Sequence, residues 1–100
     1  MIQKPLISII TVCRNAEKTI EETILSVINQ SYDNIEYIII DGNSTDSTKK
    51  IIEKYKDKIT HYISEKDEGL YYAFNKGIRY VNGEMFGFVN SDDTLTPNAI

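Results

Sequence analysis

The sequence has a single cysteine, Cys13, so no disulfide can close within the chain, and the composition suits a reducing compartment. It has a single histidine, His61, in a strand-like stretch with no partner motif, which reads as structural. Without a histidine motif to activate it, Cys13 reads as a small buried residue rather than a nucleophile. Basic residues are not in excess: 11 Lys and Arg against 15 Asp and Glu give a net charge of −4, which argues against a nucleic-acid partner. No apolar run is long enough for a signal peptide or a membrane span, because the first is broken by Thr11, Arg14 and Asn15. Glycine is missing from the same stretch. Thr11-Val12-Cys13-Arg14-Asn15 therefore offers neither a dinucleotide fingerprint nor a phosphate-cradling P-loop. A nucleotide bound here must have its diphosphate held by a metal and by side chains.

The residues present describe one small globular domain. Hydrophobic residues at 41% and charged residues at 26% are ordinary for a soluble chain and too apolar overall for a disordered one. At 100 residues the surface buried on folding is limited, so the stability margin is expected to be thin. Met1-Ile2-Gln3-Lys4-Pro5 reads as a native start. Thr96-Pro97-Asn98-Ala99-Ile100 reads as the opening of a helix, with Pro97 at an early helical position, as expected of a fragment.

Periodicity gives the elements. The run 6–13 is β-branched and nearly all apolar, as in a strand buried on both faces. Over 17–30 the period changes: Ile20, Ile24, Val27 and Ile28 form an apolar stripe, with Glu17, Lys18, Glu21 and Glu22 outside it. A turn at 31–34 leads to a second buried strand, 35–40, which ends at Asp41-Gly42. Ser44 and Asp46 are candidate caps for a second helix carrying Ile51, Ile52 and Tyr55 inward. A weaker third strand spans 59–63. Leu70, Ala73, Phe74, Gly77, Ile78 and Val81 space a third helix, and 85–89 is a fourth strand. The order β-α-β-α-β-α-β predicts an α/β fold, a mostly parallel sheet with helices on both faces.

In open α/β sheets, ligands bind beyond the carboxyl ends of the strands. Those ends are Thr11 to Asn15, Asp41, Glu65 to Gly69, and Asn90-Ser91-Asp92-Asp93. Carboxylates gathered on one rim repel unless something positive sits between them, and hard oxygen ligands suit Mg²⁺ or Mn²⁺. Each acid also has a bland reading. Asp92-Asp93 could be a solvated turn, Ser44 and Asp46 caps, and Asp67-Glu68 the acidic first turn of the third helix. Asp41 caps nothing obvious and could accept a hydrogen bond from a nucleobase N–H. Tyr71, Tyr72 and Phe74 read as packing residues rather than stacking platforms.

Taken in order, these motifs resemble those of family 2 glycosyltransferases. The resemblance rests on Ser8-Ile9-Ile10-Thr11-Val12-Cys13-Arg14-Asn15, on Glu36-Tyr37-Ile38-Ile39-Ile40-Asp41-Gly42-Asn43-Ser44-Thr45-Asp46-Ser47-Thr48, on Asp67-Glu68-Gly69-Leu70-Tyr71-Tyr72-Ala73-Phe74-Asn75-Lys76-Gly77-Ile78, and on Asn90-Ser91-Asp92-Asp93. It implies a GT-A fold, a nucleoside-diphosphate-sugar donor (a UDP-sugar foremost), a saccharide or lipid-linked acceptor, and transfer with inversion assisted by Mg²⁺ or Mn²⁺. By position, the resemblance implies that Thr11 and Asn15 line the nucleotide pocket and Asp41 faces the base. It also implies that Asp67 belongs to the base and ribose surroundings, Asp92 neighbours the ribose or diphosphate, and Asp93 is the metal ligand. It implies a role in cell-surface polysaccharide synthesis, in the cytoplasm or at the inner face of the membrane.

Two departures bear on these roles. Asn90 stands where the signature often carries an acid, which leaves the division of labour between Asp92 and Asp93 open. Tyr72 stands where relatives often have Asp. The family's catalytic base lies beyond the acidic signature, so residues 1–100 are expected to form the nucleotide-sugar-binding part of a domain, truncated at the C-terminal end and inactive alone. Two alternatives remain at this point: a receiver-like Mg²⁺-binding signalling module phosphorylated on Asp41, and a folded fragment without activity. The first is weakened by Thr11, Val12 and Cys13, which stand where such modules gather acids.

Overall fold

The computed structural model describes residues 4–66 and 69–100, and only the backbone at 70 and 71. Strands β1 (Ile7–Cys13), β2 (Ile35–Asp41), β3 (His61–Ser64) and β4 (Met85–Phe88) form one sheet in the order β3-β2-β1-β4, with every pairing parallel. Between them lie α1 (Ile20–Ile28), α2 (Thr48–Glu53), a single 3₁₀ turn (Lys56–Lys58) and α3 (Leu70–Arg79).

Alternation along the two central strands explains the layers. Ile9 and Cys13 of β1 and Tyr37 and Ile39 of β2 face one side, where Ile20, Ile24 and Val27 of α1 and Ile52 of α2 cover them. Ile10, Val12, Ile38 and Ile40 face the other side, against Ala73 and Phe74 of α3. The helices thus lie on both faces, as the alternating element order predicts. Ile10, Ile38, Ile39 and Ile40 are completely buried, and each contributes about 1.5–3 kcal/mol of apolar transfer free energy.

Gly77 sets the distance between α3 and the sheet. A Cβ built there would lie 2.5 Å from Cγ2 of Ile10, so no larger residue fits without movement of the core. Gly69, with φ of 125°, turns the chain into α3 in a region that L side chains rarely enter.

The structure differs from the sequence reading in several details, among them the third strand, which is His61–Ser64 rather than 59–63. Helix α1 starts at Ile20 rather than Glu17, because Ala16 to Thr19 form a turn tied to the neighbouring loop. Strand β4 is an edge strand with Met85, Phe86 and Phe88 exposed, and Phe88 meets Phe74 edge-on at 4.5 Å. Residues 96–100 form a turn, with Ala99 N–H donating to the Thr96 carbonyl, instead of opening a helix.

From β1 the chain moves outward to β2 and β3, then crosses to the opposite side of β1 to lay down β4. The chain thus leaves β1 toward α1 on one face and reaches β4 from α3 on the other, and the carboxyl ends of β1 and β4 lie side by side at this switch in strand order, where a crevice is expected.

Candidate functional site

Two hollows occupy this crevice and share Val12, Arg14 and Ser91. The larger, about 340 Å³, lies between Arg14, Asn15, Ala16 and Thr19 after β1 and Asn90 to Asp92 after β4. The smaller, about 210 Å³, is bounded by Cys13, Gly42, Gly69 and Ala73. A third hollow, about 220 Å³, sits at the other end of the sheet beside Ile35 and Lys58, away from the carboxyl ends of the strands.

The rim is stiffened by hydrogen bonds between the loops after β1 and β2. Asn15 N–H donates to Ser44 Oγ at 2.8 Å, and Asn15 Oδ1 accepts from Thr45 N–H at 2.8 Å. Ala16 N–H donates to Thr48 Oγ1, and Ser47 N–H donates to Glu17 Oε2. Asn15 adopts a left-handed φ of 50°, which asparagine tolerates better than most residues. Asp46 behaves as a cap: its Oδ1 accepts from Thr48 N–H at 2.9 Å and Thr48 Oγ1 at 2.5 Å. Burial works to raise the Asp46 pKa, but these bonds and that from Glu17 N–H outweigh it and hold it below the ordinary aspartate value. Ser44, expected to cap α2, bridges the two loops instead.

Asp41 is completely buried. The parallel register brings the tips of three strands side by side, pairing Cys13 with Asp41 and Asp41 with Ser64. Asp41 Oδ1 accepts from the Ser44 hydroxyl and, at 3.5 Å, from the Cys13 thiol. Its Oδ2 accepts from Ser44 N–H at 3.0 Å and Ser64 Oγ at 2.8 Å. A carboxylate offers roughly four acceptor sites, so its capacity is filled. Two hydroxyls, a thiol and an N–H thus compensate the charge of this carboxylate. A base N–H reaching Asp41 must displace a present donor, and the long bond from Cys13, which lines the smaller hollow, is the weakest. An aspartate so enclosed is also a poor phosphoryl acceptor, which tells against the signalling-module alternative.

Thr11 is placed differently from the expectation. It is completely buried, shares a 2.8 Å hydrogen bond with the Tyr37 hydroxyl, and lines neither hollow. Strand alternation sends its side chain into the core beside those of Ile9 and Cys13, while Val12 and Arg14 reach the crevice. Asn15 and Asp92 both line the larger hollow. Asp67 lies outside the described residues. His61 packs its ring 5.2 Å from that of Tyr80, in keeping with a structural role.

The acidic turn is anchored on α1. The Thr23 hydroxyl, fully buried, lies 2.6 Å from the carbonyl of Asp93 and 2.9 Å from that of Ser91. Further along, Gln30 Nε2 donates to the Thr96 carbonyl and Ser31 N–H to that of Pro97. These contacts leave both Asp92 and Asp93 side chains exposed beyond the β4 tip. Reading strand ends alone does not single out Thr23, although a threonine inside the apolar stripe of Ile20, Ile24 and Val27 is the signal for such a bond.

Among the described residues no group of three or more histidine, cysteine or acidic side chains could enclose a metal. Two exposed neighbouring carboxylates still fit a Mg²⁺-like ion, which commonly takes one or two carboxylates and completes its shell with waters and ligand phosphates. No helix among the described residues is long and apolar enough to cross a membrane.

Comparison with known proteins bears on the family and the fold. The family model for glycosyl transferase family 2 matches residues 8–100. The Escherichia coli UDP-Glc:alpha-D-GlcNAc-diphosphoundecaprenol beta-1,3-glucosyltransferase WfgD is 35% identical over 96 residues, covering 95% of this chain and 38% of WfgD. The structure of Staphylococcus aureus TarS 1-349 in complex with UDP-GlcNAc superimposes with a TM-score of 0.85 at 30% identity, over 92% of this chain and 28% of that one. The mannosyltransferase PcManGT from Pyrobaculum calidifontis, in complex with GDP-Man and Mn²⁺, has the same fold: TM-score 0.85 at 22% identity, over 97% of this chain and 30% of that one. The chain spans about a third of the length of the curated relatives it matches, 37% and 30% in two cases. The chain belongs to glycosyl transferase family 2 and has its GT-A architecture.

Proposed function

We propose that the protein binds a nucleoside-diphosphate sugar, a UDP-sugar, at the crevice between the β1 and β4 tips, and that its sugar passes with inversion to an acceptor hydroxyl. The observation that carries this reading is the hollow of about 340 Å³ at the switch point, with Asn15 on one wall and Asp92 on the other. UDP is favoured because WfgD takes UDP-Glc and TarS binds UDP-GlcNAc. The acceptor is a saccharide or lipid-linked sugar, in keeping with the name of WfgD, and the setting is cell-surface polysaccharide synthesis on the cytoplasmic side.

In the transfer, the acceptor oxygen forms a bond to the anomeric carbon as the bond from that carbon to the diphosphate breaks. Asp93, with Asp92, would hold Mg²⁺ or Mn²⁺, which when bound supplies positive charge to the departing diphosphate. Asn15 and the loops it ties together orient the nucleotide, and Asp41 holds the loop after β2 in place and faces the base. A carboxylate must take the acceptor's proton within hydrogen-bond reach. We assign that group to chain outside residues 1–100, so these residues alone bind donor without turnover.

The test is thermal melting with UDP, with Mn²⁺, and with both. The pair is expected to raise Tm well beyond either alone, and Asp93→Ala to remove the rise. Equal melting temperatures in all conditions, for UDP and for GDP, would refute the reading.

A further inference from the structure

We infer that Arg14 binds the diphosphate of the donor and thereby sets the preference of the crevice for a nucleoside diphosphate over a nucleoside. The inference rests on the nucleotide-sugar reading above and adds to it a residue and a role. Arg14 stands at the tip of β1, is exposed, and lines both hollows of the crevice. It is the one cationic side chain among the described residues lining them.

Two lysines of the surrounding elements are already engaged. Lys76 pairs with Glu65 at 3.0 Å, and Lys49 donates to Asn43 at 2.7 Å. Arg14, by contrast, has no carboxylate or aromatic partner among the described residues. A guanidinium placed at a ligand crevice without a protein partner keeps its forked donors available to an anion.

Charge balance supports the role. A divalent ion held by Asp92 and Asp93 is, as a unit, neutral, so it cannot compensate a diphosphate fully. The first loop has no glycine with which to wrap phosphates in backbone N–H groups, and its Asn15 N–H is spent on Ser44. The remaining positive charge among the described residues of the crevice is that of Arg14. Its place on the boundary between the hollows also suits the middle of an elongated ligand, where a diphosphate separates nucleoside from sugar.

The experiment is isothermal titration of the protein, with Mn²⁺ present, using uridine and UDP (and guanosine and GDP), against wild type, Arg14→Ala and Arg14→Lys. Because Arg14 is exposed and makes no ion pair, both variants are expected to melt like wild type. The expected result is a loss of about tenfold in UDP affinity for Arg14→Ala, a smaller loss for Arg14→Lys, and unchanged uridine affinity. The loss should shrink as salt is raised. Equal losses for uridine and UDP, meaning contact with the base, or UDP affinity within about twofold of wild type, would overturn the inference while leaving the nucleotide reading intact. Absence of binding by wild type to both diphosphates overturns both.

Discussion

Glu36 shows at the level of one residue how a carboxylate can be structural at the end of the sheet remote from the crevice. It is buried, and accepts from Ser8 Oγ at 2.9 Å, Asn82 N–H at 2.8 Å and Asn82 Nδ2 at 2.9 Å. Burial acts to raise its pKa, but the bonds from Asn82 and Ser8 prevail and hold it below the usual glutamate value. A depressed folded-state pKa stabilises the fold above the unfolded value near 4.5, and that contribution is lost as pH falls through the folded pKa. Unfolding against pH is therefore expected to show acid sensitivity below about pH 4.5 that is reduced in Glu36→Gln, which would also be less stable at about pH 7. Gly77 makes a second case. Alanine would gain up to about 1 kcal/mol in helix propensity, but its Cβ meets the fully buried Ile10, and overpacking costs about 1–3 kcal/mol. Gly77→Ala is thus expected to lower the urea midpoint. Residue by residue, the sequence disclosed less than it did of the elements. Asn15 and Asp92 could be placed on the crevice from strand ends alone. The Thr11 contact with Tyr37, the four donors around Asp41 and the exposure of Arg14 depend on strand register, which periodicity does not specify.

Elements were legible because their periods are strong. Two central strands of nearly continuous apolar residues, and an Ile20-Ile24-Val27 stripe at helical spacing, leave few other ways to bury themselves. The ends of elements were less legible, since side chains from neighbouring loops decide them. The turn 16–19 is held by Asp46, from the loop after β2, and by Thr48 at the start of α2, rather than by its own propensity. The same cross-loop bonding makes Ser44 a joint: its hydroxyl accepts from Asn15 and donates to Asp41. Ser44→Ala is expected to cost about 1–3 kcal/mol by leaving buried polar groups short of a partner, measured by urea unfolding. On the other side of the crevice, Thr23→Val removes the hydroxyl that secures the acidic turn to α1 while keeping the side chain's volume. Its expected effect is weaker Mn²⁺-dependent UDP binding, by a few-fold, with uridine binding unaltered.

For the molecule as a whole, topology does the assembling. One reversal of strand order at β1 sets β2 and β4 on either side of it, and α1 grips the turn that carries Asp92 and Asp93. The edge position of β4, with Met85 and Phe86 exposed, was not visible in the sequence, because a short apolar strand reads alike at an edge and in the interior. This architecture implies a location for the ligands: metal and diphosphate belong at the β1 and β4 tips, and the hollow beside Ile35 and Lys58 at the far end should be indifferent to both. Paramagnetic broadening of backbone amide signals by Mn²⁺, recorded with and without UDP, reads that location directly. With UDP present, broadening is expected at Arg14, Asn15, Thr19 and residues 90–93, with Ile35 and Lys58 spared; broadening centred on Ile35 and Lys58, or unchanged by UDP, would contradict the account.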